Sequence, residues 1–174
     1  DEARRIIEIY RGTNGAISQL WRDANNMVQY MARGDSIQFG KEGVLQVDAR
    51  KNAIILPNGL PMFYHGLAAE RGERGYEYTY RTRKGPNRIY GGKVVENVCQ
   101  AIARCIIGHQ MILLAKRYKA VLTVHDSIIT CVPDGELVEA QAYMEECMSQ
   151  TPDWAKGLPI TCESGTGKSY GECE

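Results

Sequence analysis

A histidine and an aspartate stand side by side in the middle of an apolar stretch, VLTVHDSIITCV at residues 121–132. The flanking runs VLTV and IITCV are short and rich in β-branched residues, which predicts two strands joined by a tight turn with His125, Asp126 and Ser127 at its tip. An unpaired carboxylate is costly to bury, so Asp126 is expected to face water, a cation or a hydrogen-bond donor. A carboxylate at a rigid strand end can bind a divalent metal. An ordinary turn with a self-bonding aspartate fits the local pattern equally well.

A second set of polar side chains recurs at helical spacing in the long segment 90–118. They are separated by four, three and four positions, which places them on one face of the predicted helix, and apolar residues fill much of the rest. The pattern by itself favours a solvated polar stripe over a binding surface. The members of this stripe are Lys93, Asn97, Gln100 and Arg104.

The third candidate is the basic, tyrosine-rich stretch YEYTYRTRKGPNR at 76–88. If it is one extended strand, its tyrosines lie on one side and its first arginines on the other. Basic groups interleaved with aromatic rings suit a groove that holds a nucleic-acid backbone, and a solvated edge strand protected by charge is the equal alternative. The basic residues are Arg81, Arg83, Lys84 and Arg88, and the tyrosines are Tyr76, Tyr78 and Tyr80.

The bulk composition limits what these residues can belong to. With 174 residues, 44% hydrophobic and 24% charged, the chain is expected to fold as a globular domain. The formal net charge is zero, so a nucleic-acid partner would have to meet a local basic patch. The six cysteines form no CxxC pair, which disfavours a zinc site and favours free thiols in a reducing cytoplasm. We expect neither a signal peptide nor a membrane partner.

The elements that position the candidates can be read from periodicity. Apolar residues at helical spacing predict helices over 2–11 and 16–33, joined by GTNG, with Thr13 or Asn14 as the cap of the second. From 36 to 83 the pattern is strand-like: SIQF, VLQV, AIIL, PMFY and YEYTYRTR, with Asn58-Gly59 as a hairpin signal between AIIL and PMFY.

The remaining elements surround the His-Asp pair. A helix is predicted over 90–118, and a second over 134–150 with Asp134 as its cap. The segment LPITCE is predicted to form a last strand, and no internal repeat is present. GTGKS at 165–169 resembles the end of a phosphate-binding loop, but that pattern requires glycine at the position of Cys162, so we dismiss it.

Several segments keep a distinctive order along the chain. RIYGGKVVENVCQAIAR at 88–104 is followed by VHDS at 124–127, a capped helix, and GLPITCESGTGKSY at 157–170. In this order they resemble the C-terminal half of a family A (polymerase I-like) DNA polymerase of the bacteriophage branch. There a long helix carrying a glutamine precedes a β-hairpin with the signature Val-His-Asp-Glu, called motif C. The two N-terminal helices resemble those that follow the fingers of that family.

The resemblance implies a fold and a division of the chain. The fold class would be α+β, with a palm-type antiparallel sheet that contains the motif C hairpin, packed against helices, and a β-rich insertion at about 36–83. Residues 1–35 would be the helical pair, 36–87 the insertion and 88–174 the palm region, in one compact unit cut from a larger polymerase. Motifs A and B are absent from the chain, and Ser127 replaces the usual glutamate of motif C.

The resemblance also implies chemistry and partners. Deoxynucleotidyl transfer would use two Mg²⁺ ions in the complete enzyme and none held by this chain alone, with Asp126 as one metal ligand and a motif A aspartate as the other. His125 would lie beside the primer terminus. Gln100 would read the DNA minor groove at the primer end, where every base pair offers an acceptor. Lys93, Asn97 and Arg104 would lie near the DNA or the incoming phosphates.

The expected partners are primer–template DNA, deoxynucleoside triphosphates and the polymerase domains that carry motifs A and B, in the cytoplasm of a bacterial host. Two other classes of function stay open. One is a non-catalytic nucleic-acid-binding module with the same fold. The other is a metal-dependent phosphohydrolase of the His-Asp type, which is disfavoured because His65 and His109 have no ligand-like neighbours in the sequence.

Overall fold

The computed structural model describes residues 2–72 and 75–173, which form an α+β fold. Its sheets are antiparallel and pack against helices, as predicted. The chain divides into two compact units, residues 1–101 and 102–174, and the boundary falls inside one long helix. The division expected from the sequence, at 35/36 and 87/88, and the palm-type identity of the fold stay predictions.

The first unit begins with two helices, α1 (Glu2–Thr13) and α2 (Gly15–Arg33), which confirm the two predicted ones. Asn14 occupies the N-cap position of α2 but makes no capping hydrogen bond. Its amide instead donates to the Tyr10 carbonyl at 3.0 Å, so the predicted capping role is wrong. The buried face of α2 recurs every three or four positions, and its apolar members are Ala24, Met27, Val28 and Met31.

A four-stranded sheet follows α2 and corresponds to the predicted strand-like runs. Its strands are β1 (Gln38–Phe39), β2 (Leu45–Asp48), β3 (Ala53–Ile55) and β4 (Pro61–Phe63), paired in that order. Asn58-Gly59 lies in the connection between β3 and β4, where Gly59 has a left-handed φ of 84°, so the hairpin signal is confirmed. The buried apolar residues of this sheet are Leu45, Val47, Ala53 and Ile54.

A second sheet contains β5 (Ala68–Gly72), β6 (Gly75–Thr82) and β7 (Gly85–Ile89) in that order. The predicted strand YEYTYRTR at 76–83 corresponds to β6 and is confirmed, whereas the rest of the stretch 76–88 returns as β7, which was not predicted. Arg83 and Lys84 form the turn between β6 and β7, and Gly85 with a φ of 111° starts the return strand. β5 and β7 pair with the two edges of β6, so the β-rich part of the chain extends to residue 89. Neither β5 nor β7 has the alternation of apolar and polar residues that would have predicted a strand.

Tyr64, directly after β4, is 1% exposed and anchors the first unit. Its ring packs edge-on against Tyr80 of β6, with 5.2 Å between the centroids, and its hydroxyl accepts a hydrogen bond of 3.2 Å from the Asn97 amide. Burial raises the pKa of Tyr64 above its usual value, and the Asn97 hydrogen bond lowers the pKa by less.

This raised pKa predicts a loss of stability in alkali. The folded state binds the phenol proton of Tyr64 more tightly than the unfolded state does. The contribution of this proton to the free energy of unfolding is therefore complete below about pH 10 and declines as the pH rises towards the folded pKa. Urea unfolding between about pH 8 and about pH 11 should show a smaller decline in Tyr64→Phe than in wild type. Tyr30→Phe, which changes an exposed tyrosine, should follow the wild-type curve. Identical pH curves for wild type and Tyr64→Phe would contradict the assignment.

The long helix α3 (Gly91–Leu114) is four residues shorter at its C-terminus than the predicted 90–118. By length and composition it could cross a membrane, a test that the core helix of a soluble protein also passes. Polar residues interrupt the helix, so the sequence contains no unbroken apolar run of that length. The absence of a membrane partner stays a prediction.

The second unit combines the end of α3 with β8 (Ala120–Val124), β9 (Ser127–Thr130) and α4 (Leu137–Met148). Its buried centre is formed by Ile107, Leu114, Ile128 and Cys147. Asp134 lies in a short 3₁₀ turn before α4 and does not cap it, so the capping prediction is wrong. The Asp134 carboxylate instead binds the Lys168 ammonium at 2.6 Å.

The predicted strand LPITCE at 158–163 is also wrong, since these residues are in no sheet. A strand needs a hydrogen-bonded neighbour. In the described part of this unit the sheet consists of β8 and β9, and a cleft separates β9 from residues 160–165.

Candidate functional site

His125 and Asp126 are the two residues of the turn that joins β8 to β9. Val124 pairs with Ser127 and Thr123 with Ile128, so the tight strand-turn-strand is confirmed and Ser127 is the first residue of β9. Because both residues lie in the turn, the alternation of side chains along a strand does not force them to opposite faces.

The backbone of this turn is strained at His125, whose φ is 53°. A residue with a Cβ atom pays about 1–2 kcal/mol in the left-handed region, which is why glycine or asparagine is preferred there. Strain of this kind persists when surrounding structure fixes it, and it clusters at functional sites. Glu42 and Asn52 share this conformation with φ values of 57° and 49°, so the strain at His125 gains weight only together with the carboxylate beside it.

Asp126 is exposed and has no hydrogen-bond or ion-pair partner among the described residues. Aspartate and asparagine in other turns of the chain behave differently. Asn58 Oδ1 accepts from the Leu60 amide at 3.1 Å, and Asp48 Oδ1 accepts from the Lys51 amide at 3.3 Å. The accessible, unpartnered carboxylate was predicted from the sequence and is confirmed, and it does not fit a self-bonding turn residue.

The core of the second unit holds the hairpin in place. Ile128, two positions after Asp126, is 8% exposed and belongs to the same buried cluster as Leu114 of α3 and Cys147 of α4. On β8 the pairing skips Val121, a bulge that is typical of strands next to functional sites. The polar turn at His125 and Asp126 is therefore held in position by a hairpin whose second strand packs in the core.

A cleft of about 680 Å³ lies beside the hairpin and is lined by Asp126, β9, the end of α3 and residues 160–165. Gln110 of α3 lines it and is 1% exposed. The Gln110 amide donates to the carbonyls of Met148 at 2.6 Å and Gln150 at 3.1 Å, while its Oε1 has no partner among the described residues. Sequence reasoning missed Gln110, although a glutamine within the apolar run of α3 was a usable signal.

The fit of Mg²⁺ to this site can be tested on the donors present. Asp126 offers one accessible carboxylate, the ligand type that Mg²⁺ prefers. The described residues contain no group of three or more histidines, cysteines, aspartates or glutamates that could hold a metal. Asp126 therefore fits as one ligand of a set that residues 2–72 and 75–173 do not complete.

The polar stripe on α3 divides into two parts. Asn97 donates to the Tyr64 hydroxyl, and the Lys93 ammonium donates to Asn87 Oδ1 at 3.4 Å, so both are tied to neighbouring strands or connections. Gln100 and Arg104 are exposed and have no partner in the described part of the chain. These two are the free polar groups of the stripe.

Lys93 also lines a cleft of about 770 Å³ where α2 meets the start of α3. Its lining has two further cations, Arg11 and Arg22, one carboxylate, Glu96, and the aromatic residues Trp21 and Tyr90, so its charge is net positive. A basic cleft of this kind suits an anionic ligand, and sequence reasoning did not bring these residues together.

The basic residues of β6 and β7 are only partly free. Arg81, Arg83 and Lys84 are exposed and have no side-chain ion partner in the ranges described. Arg88 pairs with Glu77 at 2.5 Å, which neutralises its charge locally.

The tyrosines of the same stretch do not form one open surface. Tyr78 is buried, Tyr80 packs on Tyr64, and Tyr76 is 67% exposed. The predicted interleaving of aromatic rings with basic groups therefore does not describe this sheet.

The GTGKS segment is pinned by the C-terminal residues. A side chain at Gly165 or Gly167 would collide with the backbone of Cys173 or the side chain of Glu172. The Glu172 carboxylate accepts from the Lys168 amide at 2.9 Å, and Lys168 is already paired with Asp134. This packing agrees with its dismissal as a phosphate-binding loop.

Comparison with known proteins gives one informative similarity. The chain is 32% identical, over an alignment 180 positions long, to a DNA polymerase of Bacillus phage SP02. The match covers 93% of this chain and 26% of the polymerase, so the chain spans about a quarter of the length of this relative. No family model and no solved structure matches the chain. The similarity supports a chain derived from part of a phage DNA polymerase.

Proposed function

We propose that this chain is the C-terminal palm region of a family A bacteriophage DNA polymerase and supplies the motif C part of its active site. The observation that carries the proposal is Asp126: an accessible, unpartnered carboxylate on a strained turn whose strands are anchored in the core. A turn built for stability would place glycine or asparagine at His125 and bond the carboxylate to the backbone.

The similarity to the phage SP02 polymerase supports the same reading, because the match extends over 93% of this chain. The assignment to family A is part of the proposal. It depends on the order of the glutamine-bearing helix, the His-Asp hairpin and the following helix, all three of which the structure contains.

In the complete enzyme, Mg²⁺ would neutralise the charge that develops on the transferring phosphate. Asp126 would provide one oxygen ligand, and a carboxylate from elsewhere in the polymerase the other. His125 would lie beside the primer terminus. By the resemblance the second carboxylate belongs to motif A, a pattern that the sequence does not contain, so we assign activity to the complete polymerase and not to residues 1–174.

The second unit offers a place for the rest of the polymerase. In the described residues β9 pairs with β8 on one side and has no strand on the other, and its residues line the cleft that contains Gln110. An unpaired strand edge is a ready template for another strand. We place the domains that carry motifs A and B against this cleft.

The DNA contacts follow from the free polar groups. Gln100 would contact the minor groove of the primer–template duplex, where one amide can sense base-pair geometry without reading sequence. Arg104 would contact phosphates near the primer end or the incoming deoxynucleoside triphosphate. Arg81, Arg83 and Lys84 would contact phosphates of the template or duplex, with a smaller role for Arg88 because of Glu77. The host cytoplasm is the location that this activity requires.

A second candidate is a non-catalytic nucleic-acid-binding module with the same fold. Ser127 in place of the usual glutamate and the incomplete metal ligand set favour it. The His-Asp phosphohydrolase gains no support, because no cluster of metal ligands occurs within residues 2–72 and 75–173.

DNA binding by the chain is predicted to be weak, independent of sequence and strongly salt-dependent, since phosphate contacts give affinity without specificity. In titrations of a labelled primer–template, Arg83→Gln with Lys84→Gln should flatten the plot of log affinity against log salt by about one slope unit for each phosphate-binding cation removed. The control, Lys116→Gln with Lys156→Gln, removes two exposed charges from the second unit and should keep the slope. Tight binding without a salt slope, or a clear sequence preference, would contradict this map.

A further inference from the structure

Phe63 and His65 form a stacked pair of rings at the end of β4. Their centroids are 5.0 Å apart and their planes differ by 13°. Phe63 is 43% exposed and His65 is exposed, whereas Tyr64 between them is buried. The alternation of an extended segment explains this arrangement, because residues 63 and 65 point to one side and residue 64 to the other.

The buried side of this segment fixes the exposed side. Tyr64 packs edge-on against Tyr80 and accepts the hydrogen bond from Asn97, which ties it to β6 and to α3. The Tyr64 amide also donates to the Asn52 carbonyl at 2.7 Å. The contacts of Tyr64 therefore fix the backbone that carries the Phe63–His65 pair.

Arg81 lies next to the ring pair. Its amide donates to the His65 carbonyl at 2.7 Å. Gly66 has a φ of 61°, and a Cβ atom there would lie 2.5 Å from Arg81 Nε, so the guanidinium occupies the space beside His65 that a side chain at residue 66 would fill. Within the described chain the Arg81 guanidinium has no hydrogen-bond or ion-pair partner.

Two exposed, parallel rings with a free cation beside them match the chemistry of an unpaired nucleotide. A nucleobase stacks on an aromatic face irrespective of its identity, and its phosphate pairs with arginine. Bases in a duplex are stacked on each other and cannot offer their faces. Arg83 and Lys84, also without a side-chain partner among the described residues, follow Arg81 at the end of the β6–β7 ribbon and extend the positive charge along a bound backbone.

We propose that Phe63, His65 and Arg81 form a binding site for an unpaired nucleotide of single-stranded DNA, with the base stacked on the ring pair and its phosphate on Arg81. The proposal rests on the proposed function in taking DNA as the ligand, and it names a contact that the polymerase resemblance did not supply. The Phe63–His65–Arg81 site should prefer unpaired DNA, whereas the phosphate contacts of the proposed function should bind paired and unpaired DNA alike.

The test is fluorescence anisotropy with the full chain and two probes, a short labelled oligodeoxythymidine and a labelled hairpin duplex without overhang. Phe63→Leu keeps an apolar side chain but removes the ring, and should bind the oligodeoxythymidine about 5- to 10-fold more weakly while duplex binding changes little. His65→Ala should act in the same direction. Phe63→Trp keeps a stacking ring and should bind as wild type does. Tyr30→Leu is the matched control, because Tyr30 is 44% exposed on α2 and has no ring partner in the structure described.

The outcomes separate this site from the proposed function. Unchanged oligodeoxythymidine affinity in both Phe63→Leu and His65→Ala, with salt-dependent duplex binding retained, would overturn the nucleotide site alone. Equal losses for both probes would also overturn it, because the effect would then not depend on unpaired bases. Binding of neither probe by the wild-type chain would overturn both this site and the DNA contacts of the proposed function.

Discussion

Gly91→Ala is expected to destabilise the first unit by about 2–4 kcal/mol. Gly91 begins α3 where this helix meets α2, and a Cβ atom there would lie 1.8 Å from the Trp21 carbonyl oxygen and 2.8 Å from the Asn25 amide nitrogen. Both neighbours are backbone atoms, so no side-chain rotation can relieve the collision. The two helices would have to separate, which would also break the hydrogen bond from the Gly91 amide to Asn25 Oδ1.

The neighbouring glycine provides the control. A Cβ atom at Gly92 would meet the Tyr90 ring at 3.3 Å, which is on the surface and can move, and would lie at an ordinary contact distance of 4.0 Å from Trp21 Nε1. Gly92→Ala should therefore stay within about 1 kcal/mol of wild type, since alanine is also the better helix former. Urea unfolding followed by the fluorescence of Trp21, in a Trp154→Phe background, measures the effect on the first unit. Equal stability of the two variants would mean that the close helix crossing is wrong.

The elements that could be predicted from the sequence are those with a strong local pattern. VLTV and IITCV form a hairpin because their β-branched residues favour strands and leave two polar residues for the turn. The apolar face of α2 is equally local. β5 (AAERG) and β7 (GPNRI) have no such pattern and become strands only because β6 offers an edge on each side.

LPITCE shows the opposite failure. Its composition favours a strand, but strand formation depends on a partner that local sequence cannot supply, and the described unit provides none next to it. Asn14 and Asp134 are good capping residues by type. Each is drawn instead to another group, the Tyr10 carbonyl and the Lys168 ammonium respectively.

The candidate site was predictable in the same uneven way. Asp126 could be identified because a carboxylate between two apolar strands has few stable environments. The hydrogen bond between Asn97 and Tyr64 could not be predicted, since it joins positions 33 residues apart. The Arg88–Glu77 pair depends on the register of β6 and β7, in which Arg88 lies opposite Thr79, two positions from Glu77. The Phe63–His65 pair was open to prediction by alternation, but Arg81 beside it was not.

Asp126→Asn is expected to lower nucleotide incorporation by the complete polymerase on the order of a hundredfold or more. The substitution keeps the shape of the side chain and removes the charge that a divalent ion requires. Asp126 is exposed and bonded to no other described residue, so its replacement should leave the fold and DNA binding nearly unchanged. Asparagine is favoured in turns, and a merely structural aspartate would therefore tolerate the change without loss of activity.

The matched control is Asp153→Asn. Asp153 is also an exposed aspartate of the second unit, and it lies in a short 3₁₀ turn away from the hairpin in sequence. Both substitutions remove one negative charge from the same unit. A change in overall charge would affect them equally, whereas loss of a metal ligand affects only Asp126→Asn.

The deciding measurement is single-turnover nucleotide incorporation by a chimera in which this chain replaces the matching quarter of the phage SP02 polymerase. Wild-type and Asp153→Asn chimeras should extend a primer at similar rates, and Asp126→Asn should bind the same primer–template but incorporate nucleotide at a rate lower by on the order of a hundredfold or more. Near-normal incorporation by Asp126→Asn in an active chimera would contradict the account, because Asp126 would then be a turn residue and not a ligand of the catalytic metal.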